Sequence, residues 1–339
     1  MTLYCGIDLH ARNNYMVVID DQRHRLFEKR LGNDLSAIIQ VLEPFRGELK
    51  GVVVESTYNW YWLVDGLQAA GYAVHLANPS GMQKYSDLKY SDDHRDAYWL
   101  ACLLKLGILP EGYIYPRDQR AVRDLLRKRG NLVRLRTSLL LGLQNILVRE
   151  GKAKLGSAKL KSSTVESVIE YIVEPEATLL AGTASKRVID VMTTEISGIE
   201  REVLKREKLK PEFVKLLTLP GVGDILGLTI MLETGAIGRF NRVGDYVSYC
   251  RKTRSVCTSN DRVKGQGNRK SGNKYLSWAY AEAAVHAQRW NKTCRRFYDR
   301  KLKQRGYAVA HNALAHKLAR AAYFIMRDNV AYDEARLFG

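Results

Sequence analysis

The stretch KYSDDHRDAY (89–98) puts three carboxylates, Asp92, Asp93 and Asp96, into five residues and runs straight into the apolar series WLACLLKLGIL. Helix capping is one reading: Ser91 or Asp92 can accept from the free N–H groups of a first turn, and acids there complement the helix dipole. It leaves a remainder, because Asp93 and Asp96, spaced i, i+3, share a helix face on which like charges repel unless a cation lies between them. Two more carboxylates end apolar runs, Asp8 in LYCGID (3–8) and Glu55 in KGVVVES (50–56). Four such groups in one pocket cannot all stay ionised without divalent cations, and hard oxygen ligands favour Mg²⁺ or Mn²⁺. Two such ions about 4 Å apart activate a phosphodiester for in-line displacement.

The elements that must bring these residues together follow a definite order. LYCGID (3–8), YMVVID (15–20) and HRLFEKRL (24–31) read as three strands of an antiparallel meander. Residues 34–46 read as a helix capped by Asp34, 50–56 as a buried strand, 59–70 as a helix closed by Gly71, and 72–78 as a fifth strand. The helix opened by the acidic stretch comes next, which makes β-β-β-α-β-α-β-α. If the first and fourth strands are neighbours, as in an RNase H-like sheet, Asp8 and Glu55 stand side by side and the last helix carries Asp93 and Asp96 over them.

From about 117 to 210 the chain turns into long, charged, leucine-rich helix. Leu125, Leu132, Leu139 and Ile146 recur every seven residues, with Leu135 and Leu143 widening the seam, which points to a coiled-coil or helical-hairpin arm or to a bundle face. GKAKLGSAKLKSS (151–163) reads as a flexible basic break. Past Pro211, LTLPGVGDILGLTIMLETG (217–235) holds two short helical patterns around Pro-Gly-Val-Gly. That is either a helix-hairpin-helix-like element whose backbone N–H groups can hold a phosphate, or a plain tight turn.

A chain of 339 residues with 46% hydrophobic composition supports two or three domains. Its formal charge of +18 is concentrated: residues 239–305 hold 18 Lys+Arg against 4 Asp+Glu. A polyanionic partner follows, and the candidate phosphate contacts are Arg251, Lys252, Arg254, Arg262, Lys264, Arg269, Lys270 and Lys274, the alternative being a solvated face. Cys5, Cys102, Cys250, Cys257 and Cys294 lack zinc-ligand spacing and read as reduced thiols of a cytoplasmic protein. No signal peptide opens the chain, and no apolar run approaches the roughly 20 residues of a membrane span. Tyr58, Trp60, Tyr61 and Trp62 could stack bases, yet beside a buried strand they read first as core. His94 could assist proton transfer or be a solvated first-turn residue.

Taken together, G-I-D8, V-V-E55-S-T, D93-H-R-D96-A, LPGVG (219–223) and K270-S-G-N-K-Y-L-S-W278 resemble, in order and spacing, the IS110/IS1111 group of transposases over essentially the whole chain. The resemblance implies an RNase H-like (RuvC-like) Asp-Glu-Asp-Asp domain at 1–115, a helical arm at 116–210 and a mainly helical carboxy-terminal transposase domain at 211–339. It sets the Asp-x-x-Asp pair on Asp93 and Asp96, which excludes Asp92. It also implies a nucleophilic serine, which falls on Ser259 in CTSNDRVKGQGNRKSGN. Here the sequence departs from the commoner Ser-Gly form by carrying Asn260 and lacks the proline that often precedes the loop, so Thr258 and Ser255 remain alternatives. A prokaryotic dimer or tetramer acting on donor and target DNA, with a structured guide RNA, is further implied.

Rival readings start from the same residues. A metal-dependent nuclease or junction resolvase would use water and leave Ser259 idle, and a site-specific invertase would differ only in outcome. An actin-like sugar kinase wants Asp-x-Gly where this chain has Asp8-Leu9-His10, and its charge fits poorly. A binding protein without catalysis has no use for four matching carboxylates.

Overall fold

The computed structural model describes every residue except 83–92, 152–154, 171–175, 209, 254–256, 261, 266–270 and 339, and of Asp93, Ile169, Cys257 and Thr258 it describes the backbone alone. The chain divides into two compact units, Met1–Arg117 and Asp118–Gly339.

In the first unit, β1 (Leu3–Leu9), β2 (Asn13–Ile19) and β3 (Arg25–Gly32) form the expected antiparallel meander. Asp34 caps α1 (Leu35–Leu42), its side chain accepting from the Ser36 and Ala37 N–H groups. β4 (Leu49–Glu55) then runs parallel to β1. α2 (Tyr61–Ala69) ends just before Gly71, whose φ of +85° is the left-handed turn a glycine adopts most easily. β5 (Val74–Ala77) pairs parallel with β4 and is followed by α3 (Pro79–Met82), a short helix without a sequence signal, and by α4 (Asp93–Lys105). The sheet order is β3-β2-β1-β4-β5, so the first and fourth strands are neighbours.

β1 is buried along its whole length because the sheet is covered on both faces. Leu3, Cys5, Ile7 and Leu9 join Met16, Val18, Val52 and Val54 in the core beneath α1 and α2. On the opposite face Tyr4, Tyr15, Val17 and Ile19 meet Ala97, Ala101 and Cys102 of α4. Gly6 sets the closeness of that contact, since a Cβ there would lie 2.0 Å from the Ala97 carbonyl oxygen and 2.9 Å from the Ala101 nitrogen. Both obstacles are backbone, so Gly6→Ala must lift α4 from the sheet. We expect it to cost at least about 1–3 kcal/mol, read as a lower thermal midpoint of the full chain. An unchanged midpoint would mean that α4 can shift at no cost.

In the second unit α5 (Arg117–Arg149) and α8 (Glu176–Glu207) run antiparallel: Arg129 Nε donates to Glu200 Oε1 at 2.8 Å and Arg136 Nη1 to Thr193 Oγ1 at 3.1 Å. Between them lie α6 (Ser157–Ser162) and α7 (Val165–Ile169). The break expected over 151–163 therefore contains a helix, held because Leu160 is fully buried among Leu143, Leu147, Val168 and Ile189. Leu143 and Ile146 are buried as the seam requires, whereas Leu135 is 46% exposed and does not widen it.

α9 (Pro211–Leu216) and α10 (Asp224–Thr234) flank Pro-Gly-Val-Gly. Then come α11 (Val243–Tyr249), the hairpin β6 (Cys257–Ser259) and β7 (Arg262–Gly265), and α12 (Lys274–Trp290). α13 (Lys292–Arg305), α14 (Tyr307–Asp328) and α15 (Glu334–Phe338) complete the chain. Gly221, at φ +79°, sits where a Cβ would meet the Ala283 carbonyl oxygen at 2.2 Å. That glycine serves the packing of the turn on α12. No helix among the described residues is long and apolar enough to cross a membrane, and Cys5, Cys102, Cys250 and Cys294 are free and buried.

Candidate active site

Pairing of Ile7 with Val54 leaves the next residues, Asp8 and Glu55, side by side at the carboxyl ends of two parallel strands. Strand alternation turns both toward the α4 face. Asp8 is 4% exposed and Glu55 partly buried. The loop after β1 is pinned, because the His10 carbonyl accepts from Asn33 Nδ2 at 3.0 Å and Asn59 Nδ2 at 2.9 Å. His10 Nε2 lies 3.1 Å from Asp8 Oδ2.

Burial, the Asp8 charge, a hydrogen bond shared with Asp8 and the Asp96 charge together push Glu55 up to about 7, against a smaller pull from His10. The structure thus brings Asp8 and Glu55 into contact with Asp96 in electrostatic range. Asp93 opens α4 one turn ahead of Ala97, and its side chain lies outside the described residues. Among the described residues no three His, Cys, Asp or Glu side chains are drawn tightly enough to hold an ion as they stand. The donor set is nevertheless the right one: carboxylate oxygens whose mutual repulsion is relieved by a proton on Glu55, which a hard divalent cation can replace.

That proton has a measurable consequence. An unfolded glutamate titrates near 4.5 and the folded Glu55 near 7, so between these values the native state holds a proton that the unfolded state has lost. Metal-free stability should fall as pH rises through this window, by no more than about 3 kcal/mol in total, and added Mg²⁺ should recover it at pH 8. Denaturant melts of wild type and Glu55→Gln across the range check this; an equal slope in the variant would assign the proton elsewhere.

His94 is more than a solvated first-turn residue. Its Nδ1 is 2.5 Å from the Tyr15 hydroxyl and 3.0 Å from Glu28 Oε1, and Tyr15 also donates to that oxygen at 3.1 Å. This triad ties the first turn of α4 to β2 and β3. It stands next to the acidic pair, since Tyr15 is the cross-strand partner of Asp8. Of the aromatic cluster, Trp60 is buried and Tyr61 and Trp62 pack partly against the core, while Tyr58 is 82% exposed.

In the second unit Ser259 ends β6, exposed and paired directly with Arg262. Asn260 follows at φ +50°, a left-handed turn position that suits Asn as well as Gly, so its departure from Ser-Gly leaves the turn intact. Arg262, Lys264 and Lys274 are exposed. Arg251 instead donates to the carbonyls of Ser271 and Gly272 at 3.0 and 2.8 Å. Lys252 is buried, and burial lowers its pKa, so it is no free phosphate contact. Arg254, Arg269, Lys270 and the alternative nucleophile Ser255 lie outside the described residues, and so does the side chain of Thr258. At the end of the basic window α13 carries seven Lys or Arg against one Asp and exposes most of them. Each phosphate contact releases counterions, so Arg262→Gln with Lys264→Gln should reduce the slope of log affinity against log salt by about 2. A duplex titration between about 50 and 200 mM salt reads it, and an unchanged slope would make the hairpin a solvated face.

Paired carboxylates thus stand at the ends of two parallel strands, in a chain whose other unit is strongly basic. Residues 5–150 match the transposase family model of the IS110 DEDD type, and residues 214–299 match that of the transposase IS116/IS110/IS902 family. The two cover more than half of the chain, which belongs to the IS110 family of transposases. A Sinorhizobium fredii protein named "Putative transposase y4qE" is 21% identical over 287 residues, 83% of this chain and 70% of that protein. A DEDD transposase domain in turn suggests a divalent metal.

Proposed function

We propose that the protein is a DNA recombinase that cuts and rejoins strands through carboxylates held on an RNase H-like sheet and a serine nucleophile. The observation that carries the reading is the juxtaposition of Asp8 and Glu55, with Asp96 near enough to help push Glu55 up to about 7. Asp8, Glu55, Asp93 and Asp96 would hold Mg²⁺ or Mn²⁺. A divalent cation held by these carboxylates would supply Lewis-acid stabilisation of the charge that develops on the phosphate and the leaving oxygen. His10 orients Asp8, and the Tyr15–His94–Glu28 triad fixes the turn that carries Asp93 and Asp96.

Ser259 Oγ attacks phosphorus, a P–Oγ bond forms as the strand's P–O bond breaks, and the serine proton ends on the departing hydroxyl. Rejoining reverses these events with a hydroxyl from the other DNA. The exposed hairpin and α13 hold the phosphates. A dimer or tetramer, and a structured guide RNA that selects the sites, complete the proposal by family resemblance. The test is incubation of purified protein with DNA bearing the element's own ends, with and without the RNA transcribed beside it, in Mg²⁺ or in EDTA. Cleavage and joining should require the metal. Joined product in EDTA would refute the reading.

A further inference from the structure

We propose that a second site, in the helical unit, takes an unpaired nucleobase together with its phosphate. A cavity of about 280 Å³ opens between α5, α10 and α12, just below the range of about 300–1,000 Å³ usual for small-ligand pockets. Val133 and Ile225 contribute apolar lining, and Tyr275 and Trp278 line it too, with Lys274 Nζ 5.2 Å from the Tyr275 ring centroid. Trp278 is 42% exposed, although the neighbouring Ala279 and Tyr280 are fully buried. Its side chain is therefore accessible beside the cavity.

The platform is rigid. Asn273 Oδ1 accepts from the Tyr275 and Leu276 N–H groups, and Asn273 Nδ2 donates to Glu233 Oε2 at 2.7 Å. The Arg127 guanidinium lies 4.4 Å from the Tyr275 ring centroid and grips Glu233 with two bonds of 2.6 and 2.7 Å. Among the described residues lining the cavity Glu233 is the one acid, and those bonds neutralise it. The rim keeps the exposed cations Lys274 and Arg134. Flat apolar surface backed by cations is what stacks a base while holding its phosphate, and the positive charge suits a nucleotide better than an apolar peptide or a second copy of this basic chain.

Gly130 lines the same cavity in the middle of α5, where a Cβ would meet no atom within 4 Å. Packing does not require a glycine there, and the open space supplies a variant that should fold well. Methionine is a better helix former than glycine, and Gly130→Met would fill the space.

The inference rests on the nucleic-acid reading and not on the catalytic one, so it is tested in EDTA. Anisotropy of labelled oligothymidine, oligouridine and a DNA duplex is measured with the full-length protein. Trp278→Ala and Gly130→Met should each weaken single-strand binding about tenfold or more, leave duplex binding within about twofold, and keep the thermal midpoint, while Trp278→Phe should restore most of the loss. A larger loss on oligothymidine than on oligouridine assigns the occupant to a DNA strand, and the reverse to an RNA; either supports the site. Unchanged single-strand affinity in both variants, equal losses on strand and duplex, or a changed oligomeric state with intact binding would each overturn it. Binding of no nucleic acid by the wild type would overturn the nucleic-acid reading as well, whereas loss of cleavage with intact stacking would leave this site standing.

Discussion

Asp8→Asn protein is expected to lose strand cleavage by about a thousandfold or more while its DNA affinity stays within about twofold. The asymmetry follows from placement. Asp8 is 4% exposed at the end of a fully buried strand and in contact with Glu55. On the proposed reading its oxygens serve a metal, and phosphate attraction is expected from the other unit's cations. Removing its charge also removes the largest electrostatic cause of the raised Glu55 pKa, so Glu55 should titrate closer to an ordinary carboxylate. That change can be followed by carboxyl-carbon NMR in the same sample. Loss of activity together with a lowered Glu55 pKa ties the defect to this pair. Asp96→Asn should act in the same direction with a smaller effect on Glu55, since the Asp96 charge pushes Glu55 up less than the Asp8 charge does. Asp93→Asn should silence cleavage too; full recombination by that variant would remove Asp93 from the site.

Much of the first unit could be read from the chain because its signals are local. Apolar runs ending in Asp8 and Glu55, the Asp34 cap and the glycine after α2 mark the strands and helices, whereas the neighbouring of β1 and β4 is, in the sequence, only a condition borrowed from the RNase H-like sheet, which the structure supplies. What stayed hidden depends on contacts between distant residues. No local pattern distinguishes Gly6 as the point where α4 touches the sheet, or joins His94 to Tyr15 and Glu28 across 79 and 66 positions. Charge counting showed the same limit in the second unit: Arg251 and Lys252 lie in the basic window, yet one is engaged by loop carbonyls and the other is buried. Density of charge along the chain says nothing about which guanidinium the fold has already used. The Leu135 misreading has the same origin, because a heptad marks a stripe and tertiary contacts decide how wide the buried part is.

Ser259→Ala protein should form no covalent DNA adduct, whereas the wild type, denatured in mid-reaction, should carry labelled DNA attached through a phosphoserine. The hairpin favours this serine on physical grounds. Ser259 and Arg262 are directly opposed across β6 and β7, and opposed residues share a face with Cβ atoms about 5 Å apart, so an arginine stands ready beside any phosphate the hydroxyl approaches. Thr258 pairs with Val263 instead, which offers no charge. A serine hydroxyl is a weak nucleophile at neutral pH and needs a base or a polarised phosphate. No histidine lies near Ser259 in the chain, so the carboxylate site is the candidate source of that help. If it comes from a different subunit, mixing Ser259→Ala with Asp93→Asn protein should restore part of the activity, because each supplies the half the other lacks. If each chain is self-sufficient, the mixture stays dead while the single-variant results stand. Arg262→Ala should then slow adduct formation more than it weakens duplex binding, since its cation acts on the one phosphate under attack. An adduct that persists in Ser259→Ala would move the nucleophile to Thr258 or Ser255, and cleavage without any adduct in the wild type would make water the nucleophile and the protein a metal-dependent nuclease.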